Sequence, residues 1–247
     1  AGQQAEVYRN EVAHLSRVTT LGEISGSLAH ELNQPLGAIL ANTEAAELHL
    51  QRERPDLAEV RKILADIRTD DLRAGEIIHG MRDFLRRREF EKRPVDVAQL
   101  ATEAIRLVAG DAAARKVTIG CTIPGDLPHV LGDQVHLLQV LVNLLVNAMD
   151  AVATCPLPDR HVVIAARRLE TPCIEIAVTD LGVGISPAHL ARVFEPFHTT
   201  KPGGLGLGLP ICRTIIEGLG GTIAIENNPD RGTTARFTLS ICDAKSS

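Results

Sequence analysis

Apolar residues recur every three or four positions through the first third of the chain, then give way to shorter, alternating runs. Over residues 5–51 the period is helical, and Leu21, Ile24, Leu28, Leu32, Leu36 and Ile39 gather on one side at about 100° per residue. His30 falls about 180° from the centre of that stripe, among Glu23, Gly26, Ser27, Asn33, Gln34 and Gly37. Pro35 offers no N–H to the carbonyl of Glu31, so the helix is weakened or kinked beside His30. Arg52 to Asp56 reads as a turn, broken by Pro55 and closed by an Asp56-x-x-Glu59 capping pattern. A second helix follows from Leu57 to about Arg88, with a stripe of Leu57, Val60, Leu64, Ile67, Asp71, Ala74, Ile78, Met81 and Leu85. Its period of about 3.5 residues predicts left-handed supercoiling against a partner. Two helices in one hairpin cannot bury both stripes, so the pattern predicts pairing of two hairpins into a dimeric four-helix bundle through residues 10–88.

Beyond Phe90 the pattern is mixed, and Glu91–Pro94 marks the boundary between a unit over 1–89 and one over 90–247. Strand-like runs lie at Val117–Ile123, Val162–Ala166, Ile174–Thr179, Thr222–Glu226 and Thr233–Ile241, and helical patterns at Val97–Val108, Val135–Val152 and Leu205–Leu219. These predict a two-layer α/β sandwich with a mixed open sheet, helices on one face, and a hairpin around Leu169–Pro172. The expected whole is multidomain: an antiparallel helical hairpin, then this α+β domain.

Composition narrows the function. The 247 residues are 45% hydrophobic but only 2% aromatic, so the core is aliphatic and the stacking platforms of single-stranded nucleic-acid binders are missing. A net charge of −5 gives no general attraction to nucleic acid or anionic membranes. Five widely spaced cysteines with no Cys-x-x-Cys pair read as reduced thiols in a cytoplasmic setting. No apolar run is read as a membrane span of about 20 residues. The chain starts inside a helical pattern, so an upstream sensor module is expected to be missing, and the whole could belong to a larger, membrane-bound sensor.

Four segments of the second unit hold polar or glycine residues that packing would not select. Asn143-Leu-Leu-Val-Asn147 sets two amides at i and i+4 in an otherwise apolar helix, as oxygen ligands toward a cation or nucleotide. Asp180-Leu-Gly-Val-Gly184 puts a carboxylate at a strand end before a loosened turn, where it can accept a hydrogen bond from an exocyclic amine. Gly203-Gly-Leu-Gly-Leu-Gly208 leads into a helix, where bare backbone can approach phosphate; it is neither a Walker sequence nor a dinucleotide fingerprint. Gly232-Thr233 enters the final strand.

In this order the segments resemble the ATP-binding domain shared by sensor histidine kinases, gyrase-type ATPases, the chaperone Hsp90 and MutL. Val193-Phe-Glu-Pro-Phe197 resembles the segment that histidine kinases place before the nucleotide lid, and Leu28–Leu36 resembles their phosphoacceptor box in its Glu-Leu-Asn-Gln-Pro version. The resemblance implies autophosphorylation of His30 from ATP, with Mg²⁺, and transfer to an aspartate of a response-regulator receiver domain. It further implies Asn147 as the Mg²⁺ ligand, Asp180 as reader of the adenine amine, and Thr233 as that aspartate's support. Gly182, Gly184, Gly204, Gly206, Leu207 and Gly208 would flank the nucleotide. Many members carry a basic residue where this chain has Asp150, so phosphate charge is expected to fall to Lys201. The gyrase-like ATPases have a glutamate at position 143. An asparagine cannot take a proton near neutral pH, so Asn143 leaves water without a base and favours the imidazole of His30, with Glu31 as base or polarising partner. Gln34, one turn after His30, would orient water for weak phosphatase activity. An ATPase of the same fold and a nucleotide-binding dimeric scaffold remain as alternatives.

Overall fold

The structure, a computed structural model, describes residues 25–52, 54, 56–85, 90–201 and 206–242, without the side chains at 25–31, 76 and 79–85. Two compact units divide the chain, one of residues 1–87 with 201–205 and one of residues 88–200 with 206–247.

The first unit is a helical hairpin of α1 (Ser25–Leu50) and α2 (Leu57–Leu85). The turn closes as the capping pattern requires: Asp56 Oδ1 accepts the amides of Ala58 at 3.0 Å and Glu59 at 3.1 Å. The expected α2 stripe resolves into two rows. Val60 and Ala74 are buried with Ile63 and Ile77, whereas Leu57, Leu64 and Ile78, spaced by heptads, stay exposed together with Asp71. One partner helix covers a single row of a two-row stripe, so the second row is left over. On α1, Pro35 and Ala46 are buried while Leu36 and Leu40 are exposed. Leu40 at 62% and Leu64 at 54% exposure are among the apolar side chains this hairpin leaves uncovered. The helical pattern before residue 25 and the arginines at 86–88 lie outside the described residues.

The second unit opens with β1 (Arg93–Val95), α3 (Val97–Arg115), β2 (Thr118–Thr122), β3 (Val130–Gly132) and α4 (Gln134–Val152). It continues with β4 (His161–Arg168), β5 (Cys173–Asp180), α5 (Pro187–Leu190), α6 (Gly208–Gly218), β6 (Thr222–Asn227) and β7 (Thr233–Ser240). The main sheet runs β2-β4-β5-β7-β6, parallel between β2 and β4 and antiparallel elsewhere, which makes it mixed as expected. The predicted β4–β5 hairpin is present, with Ile164 opposite Val178 and Ala166 opposite Ile176. Alternation puts Val162, Ile164, Ile174, Ile176, Val178, Phe237 and Leu239 on one buried face. The other face is a polar ladder: Arg167 with Glu175 at 2.8 Å, Thr179 with Thr234 at 3.0 Å, Thr222 with Thr238 at 2.8 Å, and Arg236 with Glu226.

The small β1–β3 ribbon is absent from the sequence reading, because three-residue strands are too short to carry a period. Helix α3 runs seven residues past the expected Val108, through Gly110, to a left-handed cap at Lys116. Helix α4 corrects the reading that no run approaches a membrane span. It is long and apolar enough by length and composition, yet Leu137, Leu141, Leu145 and Met149 are fully buried in the core of this unit.

The start of α4 fastens the entry of the chain into this unit. Asp133 caps the helix, accepting the His136 amide at 3.1 Å through Oδ1 and the Glu91 amide at 3.1 Å through Oδ2. Phe90 stands edge-on to His136, with ring centroids 5.0 Å apart, and covers Gly218, where a Cβ would collide with its ring. Burial raises the Asp133 carboxyl, but bonds from His136 and Glu91 outweigh it and hold the group below its ordinary value. A depressed folded pKa means the stabilisation is complete above the usual aspartate value of about 3.9 and disappears as pH falls through the lower folded value. Asp133→Ala should therefore cost about 1–2 kcal/mol in urea denaturation at pH 7. The gap to the wild type should shrink as the pH is lowered through the folded value; a constant gap would contradict the capping role.

Candidate functional site

Strand β5 ends on the face it shares with Ile174, Ile176 and Val178, so alternation turns Asp180 toward the helices. The residue is 5% exposed. Oδ1 accepts the amide of Gly182 at 2.8 Å and that of Thr233 at 3.2 Å, and among the described residues no protein donor reaches Oδ2. Burial pushes this carboxyl above its ordinary value, and the two amides act in the opposite direction. The expected support from Thr233 thus comes from its main-chain N–H.

Close backbone approach makes this geometry possible. A Cβ on Gly182 would lie 2.7 Å from both the Ala151 carbonyl of α4 and Asp180 Oδ1. At Gly232, with φ +83°, a Cβ would overlap the Asp180 carbonyl. Asn228 and Arg231, absent from the sequence reading, complete the frame. Asn228 Nδ2 donates to the carbonyls of Asp180 and Arg231, each at 3.1 Å, and its Oδ1 accepts Thr234 Oγ1 at 2.6 Å. Arg231 reaches the Gly182 carbonyl at 3.3 Å, Asp159 at 2.6 Å and Cys155 Sγ at 2.9 Å. The run Asn227–Gly232 carries a turn composition, but only the pairing of β6 with β7 brings it beneath Asp180.

On α4, Asn143 and Asn147 are half-buried, and Asn143 Nδ2 donates to Cys212 Sγ of α6 at 3.8 Å. Asp150, one turn on, is engaged by Arg115, which also binds Asp111 at 2.7 Å. The acidic residue at this position is therefore countered by a guanidinium from α3. After Gly184, with φ +74°, Asn227 holds both main-chain groups of Ile185, at 2.8 and 2.6 Å.

The described part of the glycine-rich segment starts at Gly206, whose carbonyl accepts the N–H of Phe197 (φ +62°) at 3.2 Å. Gly206, with φ +64°, packs so closely that a Cβ would lie 2.7 Å from the amide nitrogen and carbonyl oxygen of His198. Leu207 is buried and makes no side-chain cap, and Gly208 starts α6 with nothing within 4 Å of a Cβ position. Among the described residues nothing caps or crowds this helix start, which suits the close approach of an anion. Arg213 lies 4.6 Å above the Phe194 ring. Lys201 is half-buried. Gly204 and the side chains of His30 and Glu31 lie outside the described residues, and Gln34 is exposed on α1.

The groups present suit a purine nucleotide: a buried carboxylate whose second oxygen can accept from an amine, amides on α4, and bare backbone opening α6. Residues 132–242 match the family described as "Histidine kinase-, DNA gyrase B-, and HSP90-like ATPase", and residues 20–90 match "His Kinase A (phospho-acceptor) domain". The sensor protein FixL of Bradyrhizobium diazoefficiens is 37% identical over 95% of this chain and 46% of its own length. The sensor histidine kinase TmoS of Ectopseudomonas mendocina is 33% identical over 94% of this chain and 24% of its own. The chain thus spans less than half the length of these relatives. Among solved structures, full-length ShkA in complex with AMPPNP aligns at TM-score 0.63 and 25% identity, over 90% of this chain and 47% of that one. The fold of histidine kinase ThkA, solved with its response regulator TrrA, aligns at TM-score 0.75 and 23% identity, over 98% of this chain and 68% of that one.

Two variants separate binding chemistry from folding at Asp180. A carboxyl whose folded pKa is raised stabilises the fold only while protonated, and that contribution is lost as pH rises through the folded value. Asp180→Asn keeps an acceptor for both amides, so its urea midpoint at pH 7 should equal or exceed the wild type's. Gly232→Ala should lose at least about 1 kcal/mol, through its positive φ and the collision with Asp180. A marked loss of stability in Asp180→Asn would overturn this account.

Proposed function

Since the chain belongs to the two-component sensor histidine kinases and carries their kinase core, we propose that it phosphorylates His30 from ATP and passes the phosphoryl group to an aspartate of a response-regulator receiver domain. The observation that carries this reading is the pairing of the Asp180 pocket with an asparagine, not a carboxylate, at position 143. An amide bonded to Cys212 offers no base to water, so a nitrogen nucleophile competes well for the γ-phosphoryl group. In the forward step a ring nitrogen of His30 bonds to phosphorus as the bond to the β-phosphate oxygen breaks. ADP leaves, and the ring proton passes to Glu31.

Asp180 would accept from the adenine amine through its second oxygen, and Gly182, Gly184 and Thr233 would shape the pocket around the base. Gly204, Gly206, Leu207 and Gly208 would bring main-chain N–H groups to the phosphates, with Lys201 adding charge. Mg²⁺ held by Asn147 would supply neutralisation of the phosphate oxygens. In this assignment residues 1–89 form the dimerisation and phosphotransfer hairpin and residues 90–247 the catalytic domain. The exposed row of Leu57, Leu64 and Ile78 supports a homodimer. The kinase core would work in the cytoplasm, with the sensor module elsewhere in a longer protein. Gln34 keeps an amide one turn from His30 but adds a methylene relative to asparagine, so any phosphatase activity should be weak.

With γ-labelled ATP and Mg²⁺ the chain should acquire an acid-labile, base-stable label that His30→Gln abolishes without loss of nucleotide binding. Steady phosphate release without phosphoprotein would instead identify an ATPase.

Gly208→Ala tests the phosphate role separately. Nothing crowds its Cβ, so the thermal midpoint should hold or rise, while affinity for ATP should fall at least tenfold. Unchanged affinity would remove Gly208 from the phosphate site.

A further inference from the structure

The two histidines nearest the start of the glycine-rich segment form a pair that the kinase reading does not use. His189 Nδ1 and His198 Nε2 lie 3.0 Å apart, with ring centroids separated by 5.1 Å. Neither position is accidental. His189 sits in α5, whose turn is closed by Ser186 accepting the amides of His189 at 3.0 Å and Leu190 at 2.8 Å. His198 is pinned by its N–H to the Glu195 carbonyl at 3.2 Å, by the left-handed turn at Phe197 and by the backbone of Gly206 against it. Two imidazoles are thus presented toward each other from short, well-anchored segments, and His189 is exposed to solvent.

We propose that His189 and His198 form a binding site for a borderline divalent transition ion of the Zn²⁺, Co²⁺ or Ni²⁺ type. Such ions bind imidazole nitrogen at about 2.0–2.1 Å, which for a tetrahedral angle sets the two nitrogens about 3.3–3.4 Å apart. The observed pair must open by a few tenths of an ångström, and each ring must tilt by about 35° so that its lone pair leaves the N–N line and meets the ion. In the pair without metal one ring donates and the other accepts. On binding, the donor ring carries its proton on its other nitrogen, so both lone pairs face the ion and a neutral pair releases no proton. Among the described residues no cluster of three or more histidine, cysteine or carboxylate groups could hold a metal, so water would complete the shell. Two protein ligands describe an exchangeable site, not a structural one. Mg²⁺, which takes oxygen ligands and keeps its waters, would not compete, so the site is chemically separate from any Mg²⁺ at Asn147.

The test uses the whole chain with CoCl₂ or ZnCl₂ as the only added transition metal, in the presence and absence of excess Mg²⁺. Wild type should bind one Co²⁺ with a visible d–d spectrum of nitrogen and oxygen ligation and no thiolate charge-transfer band. Zn²⁺ should displace it and raise the thermal midpoint by mass action. His189→Gln and His198→Gln should each weaken binding at least tenfold and abolish the thermal shift, whereas His129→Gln, at another exposed histidine, should change neither. The proposal is overturned if both pair variants bind as the wild type does, if a thiolate band shows cysteine ligation, or if Mg²⁺ displaces the ion at equal concentration. None of these readouts requires kinase activity, so failure here leaves the kinase reading standing, and the reverse holds.

Discussion

A buried carboxylate at a strand end is the constraint around which the second unit is arranged. Asp180 stands on the helix-facing side of β5, where an ionised group is costly unless its oxygens are met. Two main-chain amides meet Oδ1, and each comes from a segment that must lie almost against the strand. That closeness requires glycine at 182 and 232, and it draws the last strand, the β6–β7 turn and the end of α4 to one place. Asn228 and Arg231 then tie the turn back to the carbonyls of Asp180 and Gly182. Among the described residues the second oxygen of Asp180 is left unmatched by this frame, as a ligand-accepting group would be. Burial leaves this carboxyl above its ordinary value, so the group adds little to stability while ionised.

Helix α4 connects this frame to the rest of the unit. Its apolar side fills the core beneath β4 and β5, while Asn143 is turned to α6 and Ala151 to Gly182. At its other end Asp133 and His136 receive the chain at Phe90 and Glu91. One rigid helix therefore carries both the amides of the candidate site and the fastening of the incoming segment. The hairpin unit follows a different logic. Its two helices cover one apolar row each and leave another open, so a single copy is incompletely buried, as expected of half a bundle.

What the sequence determined by itself was the order and type of the long elements and the kinase-core family that its motifs match. Sustained periods survive folding: α1, α2, α4 and the four longer strands lie where alternation or helical spacing places them. Asp56 caps α2 as its pattern indicates. The motifs around Asn143, Asp180, the glycine-rich run and Thr233 were legible because each sets polar or glycine residues where packing alone would not. Tertiary structure decided everything that depends on pairing between distant segments. Strand order put Asn228 and Arg231 under Asp180, although the marked Gly232-Thr233 segment gives neither residue a role by itself. The bond from Thr233 to Asp180 runs through the main chain, where side-chain identity says little. Arg115 reached Asp150 from a helix that continued through Gly110, against local propensity. The two rows of α2 separated only once one neighbour was in place, because a heptad pattern marks which residues are apolar but not which partner buries them.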